Sequence, residues 1–239
     1  MKGKKNSKVF ILVFLGMLTA FGPFVTDMYL PGLPAMTAYF GTTASMVQLG
    51  ITTAMLGLAF GQIIVGPLSD KYGRRKPLLL SLGVFFFSTI GCIFSWNVEV
   101  FIFFRFLQGM AGAGGIVISR SVATDCYSGK ELAKAFAIIS AVNGLAPIIA
   151  PIVGGVLLKF TNWQGIFFAL LVLGILLLLL CGRLKESLPR EKRITISAFS
   201  SFQAFLPLLV KRKFMSYVWV QALILGVIFA YISSSPFIL

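Results

Sequence analysis

Long apolar runs separated by short polar breaks dominate the 239-residue chain. Runs over 9–40, 45–65, 77–96, 98–119, 135–158, 164–182 and 214–239 each hold close to the ~20 residues, or more, that a helix needs to cross a bilayer core. The pattern therefore predicts an all-α polytopic membrane protein with seven spans. The first run is interrupted only by Asp27 and by Pro31 and Pro34. It is too long for the apolar region of a secretory signal, and no A-x-A site closes it, so it reads as one long, tilted first span.

The polar breaks carry the charge. Basic residues cluster at Lys2, Lys4, Lys5 and Lys8, at Lys71, Arg74, Arg75 and Lys76, at Arg120, Lys130 and Lys134, and through 183–213; of the 21, only Lys159 and Arg105 fall elsewhere. Such an asymmetry between alternate loops predicts a cytoplasmic N-terminus. It also accounts for the net charge of +14, which in a soluble chain would suggest nucleic acid; none is expected as a partner here. With 58% hydrophobic and 12% charged residues, a soluble domain is excluded. Trp96, Trp163 and Trp219 lie near span ends, as interfacial anchors would.

Three domains follow: a six-span bundle over 1–182, a cytoplasmic linker over 183–213 and a seventh span over 214–239 that starts a second half. The linker holds an amphipathic candidate, 194–209, with Phe199, Phe202 and Phe205 near helical spacing. A faint echo links Gly66-x-Leu68 to Gly155-x-Leu157 on opposite sides of the membrane, as an inverted three-helix repeat requires.

Candidate chemistry is sparse. Histidine is absent and Cys92, Cys126 and Cys181 are isolated, so neither a metal site, a disulfide framework nor a cofactor is called for. No nucleophile lies beside a base, which argues against an enzyme. Two ionisable residues remain inside spans, Asp27 and Arg105. Each is costly in hydrocarbon unless paired or facing a cavity, and the topology puts both in the outer half of the bilayer. They read either as a static ion pair or as functional groups.

Other patterns concern packing. Arg105 opens R-F-L-Q-G-M-A-G-A-G, whose small residues let helices touch. Pro147, Pro151, Gly154 and Gly155 belong to A-P-x-x-A-P-x-x-G-G, which bends a helix and permits tight packing. The hinge 66–77 places Asp70 among cations, with Gly66 and Gly73 free to take positive φ or allow close approach. On charge alone it could be a purely topogenic loop.

Gly66-x-Leu68-x-Asp70-x-x-Gly73-Arg74-Arg75 resembles the signature loop between the second and third spans of the major facilitator superfamily. The Arg105 stretch and the proline-glycine run are similar to its fourth- and fifth-span motifs, and Asp27-Met28-Tyr29-Leu30-Pro31-x-Leu33-Pro34 looks like the first-span motif of the Bcr/CflA (bicyclomycin/chloramphenicol resistance) drug efflux subgroup. Asn162-Trp163-Gln164 stands where relatives often have Gly-Trp-Arg.

The resemblance implies a six-helix bundle with an inverted 3+3 repeat, plus one further helix, in the bacterial inner membrane. It implies proton-coupled multidrug efflux, with small amphipathic drugs, protons and the lipid bilayer as partners. Asp27 would carry the proton with Arg105 as its modulator, Gly66, Asp70, Gly73, Arg74 and Asp125 would form a cytoplasmic gate, and the fifth-span prolines and glycines would restrain leakage. Because relatives build their pathway between two six-span halves, the alternative is a non-transporting fragment, or a subunit needing a separately encoded second half or a second copy.

Overall fold

The computed structural model describes residues 7–194, 207 and 210–238. The chain runs through α1 Lys8–Asp27, a 3-10 turn Leu30–Gly32, α2 Leu33–Phe40, α3 Ala44–Tyr72, α4 Arg75–Ile93, α5 Val98–Cys126, α6 Gly129–Leu158, α7 Trp163–Arg183, a 3-10 turn Arg190–Lys192 and α8 Arg212–Ile238. Among the described residues, six spans are long and apolar enough to cross a membrane, α1 and α2 together making the first, Lys8–Phe40. The seventh run coincides with α8.

The break in the first span follows from its prolines. Pro31 offers no N–H to the carbonyl of Asp27, four residues back, and its ring crowds that carbonyl; Pro34 does the same to Leu30. The α-helix therefore stops at Asp27, and Gly32 N–H closes the tighter turn on the Tyr29 carbonyl at 2.8 Å.

Helix α5 is the most buried span, with 56% of its most apolar stretch inside the bundle, and it packs on α3, α4 and α1. Glycines make its seam with α3 possible. A Cβ on Gly109 would collide with the Ala54 carbonyl, and one on Gly57 or Gly61 with the Phe106 or Met110 carbonyl. Backbones that touch in this way gain dispersion contacts that side chains would prevent. By contrast, only 17% of the corresponding stretch of α6 is buried, and Leu145, Ile148, Ile149, Ile152 and Val156 are exposed along it.

Several boundaries differ from the hydropathy reading. The hinge expected over 66–77 shrinks to Gly73 and Arg74, because the helical ladder of α3 continues to Tyr72 and stops only where Gly73 takes φ 90°. Gly66 is helical, and a Cβ there would meet nothing within 4 Å, so it provides neither positive φ nor close approach. Helix α5 likewise runs past Ser119 to Cys126, and α6 begins at Gly129 ahead of Ala135. Apolar content marks where hydrocarbon ends, while hydrogen bonding carries helices beyond it.

Trp163 is no exposed anchor. It is 3% exposed and packs by its edge against Tyr39, Phe101 and Phe167. Trp96 and Trp219 are exposed as expected. The amphipathic candidate over 194–209 lies almost wholly outside the described residues.

Candidate functional site

Two polar clusters stand out in an otherwise apolar bundle, one deep among the helices and one at its basic end. The deep cluster is built on Arg105, which is fully buried. Its Nη1 donates to the Val25 carbonyl at 2.9 Å and to Gln108 Oε1 at 2.5 Å, and its Nε to the Gly50 carbonyl at 3.4 Å. Gln108, one turn along the same face of α5, passes the network on: its Nε2 donates to Thr89 Oγ1 at 2.8 Å, and Thr89 to the Phe85 carbonyl at 2.7 Å. The guanidinium lies over the Tyr29 ring, 4.2 Å from its centroid.

The Val25 carbonyl is available because α1 ends early. Beyond the helix the last ladder bond is Met28 N–H to the Phe24 carbonyl, so the final carbonyls lack amide partners. A cation beside them is favoured by the helix dipole as well as by the hydrogen bond. The prolines that break the first span thus create the acceptor for Arg105.

Asp27 lies at the same break and is 1% exposed, yet it forms no ion pair with Arg105. Its Oδ1 has no hydrogen-bond partner, and neither has Arg105 Nη2 nor the Tyr29 hydroxyl. The static ion pair allowed by the sequence is therefore not how these two charges are held.

At the basic end, Arg74 sits between two carboxylates. Its Nε donates to Asp125 Oδ2 at 2.9 Å, and its Nη1 to Asp70 Oδ1 at 2.5 Å and to Ser69 Oγ at 2.9 Å. Burial works against the Arg74 charge, but hydrogen bonds to Asp125 and Asp70 outweigh it and raise its already high pKa. Asp70 reaches it from one turn earlier in chain order across the Gly73 bend, and Asp125 from the extension of α5.

A strap formed by the residues after α7 completes this end. The Glu186 carboxylate accepts from Arg74 N–H at 2.7 Å, Arg75 N–H at 3.3 Å and Leu188 N–H at 3.2 Å, capping the start of α4. Ser187 donates to Asp125 Oδ2 at 2.8 Å, and Arg75 to the Gly182 carbonyl at 2.8 Å. Gly73 is required here by its φ of 90°, and a Cβ there would also press on the Glu186 carboxylate. A cavity of about 460 Å³ opens beside the strap, lined in part by Lys8, Asp125, Tyr127, Glu186 and Lys192 and by none of the Arg105 cluster.

Sequence reasoning missed Glu186 and Ser187. They stand in a charge-rich run, Lys185-Glu186-Ser187-Leu188-Pro189-Arg190-Glu191-Lys192-Arg193, where nothing but proximity to α4 distinguishes one acid from the other. It also missed Thr89 and Tyr29 as neighbours of Arg105.

The fifth-span motif has two faces. Ala146, Ala150 and Gly154, four residues apart, are buried against the first span, whereas Pro147 and Pro151 are partly exposed. Gly154 touches the break itself, since a Cβ there would collide with the Met28 carbonyl oxygen. A Cβ on Gly155 would meet nothing within 4 Å, so tight packing falls to Gly154 alone of the pair.

Closely packed apolar helices with buried charges and a charged clamp at one end define a multi-pass helical membrane protein. The family model described as Major Facilitator Superfamily matches residues 10–239, and the chain belongs to that superfamily. The uncharacterized MFS-type transporter YdgK of Bacillus subtilis strain 168 is 42% identical over 236 residues, covering 98% of this chain and 59% of that protein. A bicyclomycin resistance protein homolog of Haemophilus influenzae is 31% identical over 239 residues, covering 100% of this chain and 60% of that protein. Both relatives are therefore substantially longer than the chain.

Among solved structures, a bacterial homolog of the human lysosomal transporter Spinster superimposes with a TM-score of 0.73 at 20% identity, over 97% of this chain and 56% of that one. This likeness bears on the fold. The matched family and these neighbours are transporters, not enzymes.

Proposed function

We propose that the chain forms the first six spans, and the beginning of the second half, of a proton-coupled drug efflux antiporter in the bacterial inner membrane, with its N-terminus cytoplasmic. The observation that carries this reading is the buried pair of unmatched charges. Asp27 is 1% exposed with an oxygen that has no partner, while Arg105 is held by neutral oxygens. Asp27 can therefore take up or lose a proton without breaking an ion pair. Coupling requires that two conformations hold the proton unequally, which a carboxyl at the break of a span permits. Relatives with bicyclomycin-resistance names support amphipathic drugs as the exported class.

In this reading Arg74, Asp70, Asp125 and Glu186 close the cytoplasmic end in one conformation and separate in the other. The test is drug-induced proton release from the purified transporter containing this chain. Asp27→Asn abolishes release while sparing drug binding, and Arg105→Ala impairs both; if Asp27→Asn releases protons as the parent does, the carrier lies elsewhere.

A second reading rests on the open faces of α3 and α6, where Leu56, Phe60, Ile63, Ile148 and Ile152 are exposed. They fit a second bundle, encoded separately or supplied by a second copy, without which the chain transports nothing. Expressed without any partner half, it then gives no protection against bicyclomycin or chloramphenicol, and robust energy-dependent resistance would overturn this reading.

A further inference from the structure

We propose that Gly154 is the positioning residue through which α6 reads the proton on Asp27. The proposal rests on Asp27 being the proton carrier. Gly154 is buried, and the space a Cβ would fill is occupied by the Met28 carbonyl oxygen, so the backbones of α6 and the first span meet without an intervening side chain. Met28 follows Asp27 directly, at the residue where α1 ends. A displacement of α6 across this contact moves the Met28 peptide, and with it the carboxyl one residue away.

Two further features bear on this contact. Below it, Ala146 and Ala150 continue the small-residue buried face of α6. On the other side, Leu145, Ile148, Ile149, Ile152 and Val156 are exposed, so within the six spans α6 is seated chiefly on the first span. A helix seated chiefly on the first span, with a backbone stop beside the titrating residue, has the form of a two-position element. Linkage then works in both directions: protonation biases the seat of α6, and the seat of α6 biases protonation.

Few other charges compete. Of the elements packed on α1, α5 presents Arg105, and the break itself carries Tyr29. Helix α6 has no ionisable residue beyond Lys134, and those of α3 and α7 are confined to their basic ends.

The test labels Asp27 with a hydrophobic carbodiimide, which reacts with protonated carboxyls, in the purified chain across a pH series, with peptide mass spectrometry as readout. Gly154→Ala displaces the pH of half-maximal labelling by about half a unit or more, whereas Gly155→Ala, in open space, stays within about 0.2 of the parent. The reverse direction uses a thiol probe, Gly155→Cys in a Cys126→Ser background, at one fixed pH. Adding Asp27→Asn, which mimics the protonated state, changes its maleimide labelling rate by about threefold or more. This arm also decides the matter if Gly154→Ala does not fold.

An unmoved midpoint in folded Gly154→Ala, or a thiol rate unaltered by Asp27→Asn, overturns the coupling while leaving Asp27 as carrier. Failure of Asp27 to titrate at any pH overturns both.

Discussion

Removing the Glu186 carboxylate isolates the contribution of the strap to the closed basic end. Arg74 and Arg75 stand at the start of α4, where helix amides have no partners within the helix, and Glu186 accepts from both as well as from Leu188. Loss of a capping side chain costs about 0.5 to 2 kcal/mol, and a partly buried anion at a helix N-terminus contributes up to about 2 kcal/mol. These overlap, because both describe the same hydrogen bonds. The 3.8 Å contact with Arg193 is loose and adds less than about 1 kcal/mol.

A value of about 2 kcal/mol for Glu186→Ala therefore raises the open population of the strap by about thirtyfold. When opening is fast relative to cleavage, proteolysis follows that population. Limited trypsinolysis at Lys192, read by mass spectrometry, should accelerate about thirtyfold in Glu186→Ala. The control is Glu191→Ala, an exposed acid on the same strap. A rise of less than about threefold, or an equal rise in the control, would refute the assignment of Glu186 as the strap's anchor.

Three other perturbations have defined outcomes. Gly109→Ala places a methyl against the Ala54 carbonyl and should destabilise the α3 and α5 seam by about 1 to 3 kcal/mol, seen as a lower thermal midpoint in detergent, whereas Gly144→Ala, in open space, should not. Gln108→Leu strips Arg105 of an acceptor and should cost about 1.5 to 3 kcal/mol, more than Thr89→Val, which removes a neutral bond worth about 1 kcal/mol; equal effects would argue against the order of the network. Asp70→Asn in the full transporter should weaken the Arg74 clamp and lower efflux at normal expression, and undiminished efflux would leave the loop a purely topogenic element.

The spans were legible because membrane crossing imposes a length and a composition that few other folds share. Arg105 and Asp27 were legible for a related reason, since a charge inside an apolar run has no cheap explanation. Helix ends were less so: nothing in hydropathy says that α5 continues to Cys126, although that extension is what carries Asp125 to Arg74. Glu186 was hidden for a similar reason. Its role is set by a strap folding back on α4, a contact between residues more than a hundred positions apart in sequence. The two glycines of the fifth-span motif could not be ranked either, because a helix face is assigned only once its neighbour is known.

One local feature organises the deep cluster. Pro31 denies the Asp27 carbonyl a helical partner, so α1 stops there and its terminal carbonyls are left unsatisfied. Arg105 fills one of those vacancies at Val25, which neutralises the helix end electrostatically without using the Asp27 side chain. The carboxyl is thus left buried beside a cation whose Nη1 and Nε are held by other oxygens, and close to the peptide on which Gly154 rests. Had Arg105 been bound by Asp27 directly, removing the Asp27 charge would have left an unpaired buried cation, at a cost of about 3 to 5 kcal/mol. Because carbonyl and amide oxygens hold the cation instead, a proton gained by Asp27 in the proposed reading would change the charge of the site without removing the hydrogen bonds that hold Arg105, and that separation of holding from titrating is what a coupling residue requires.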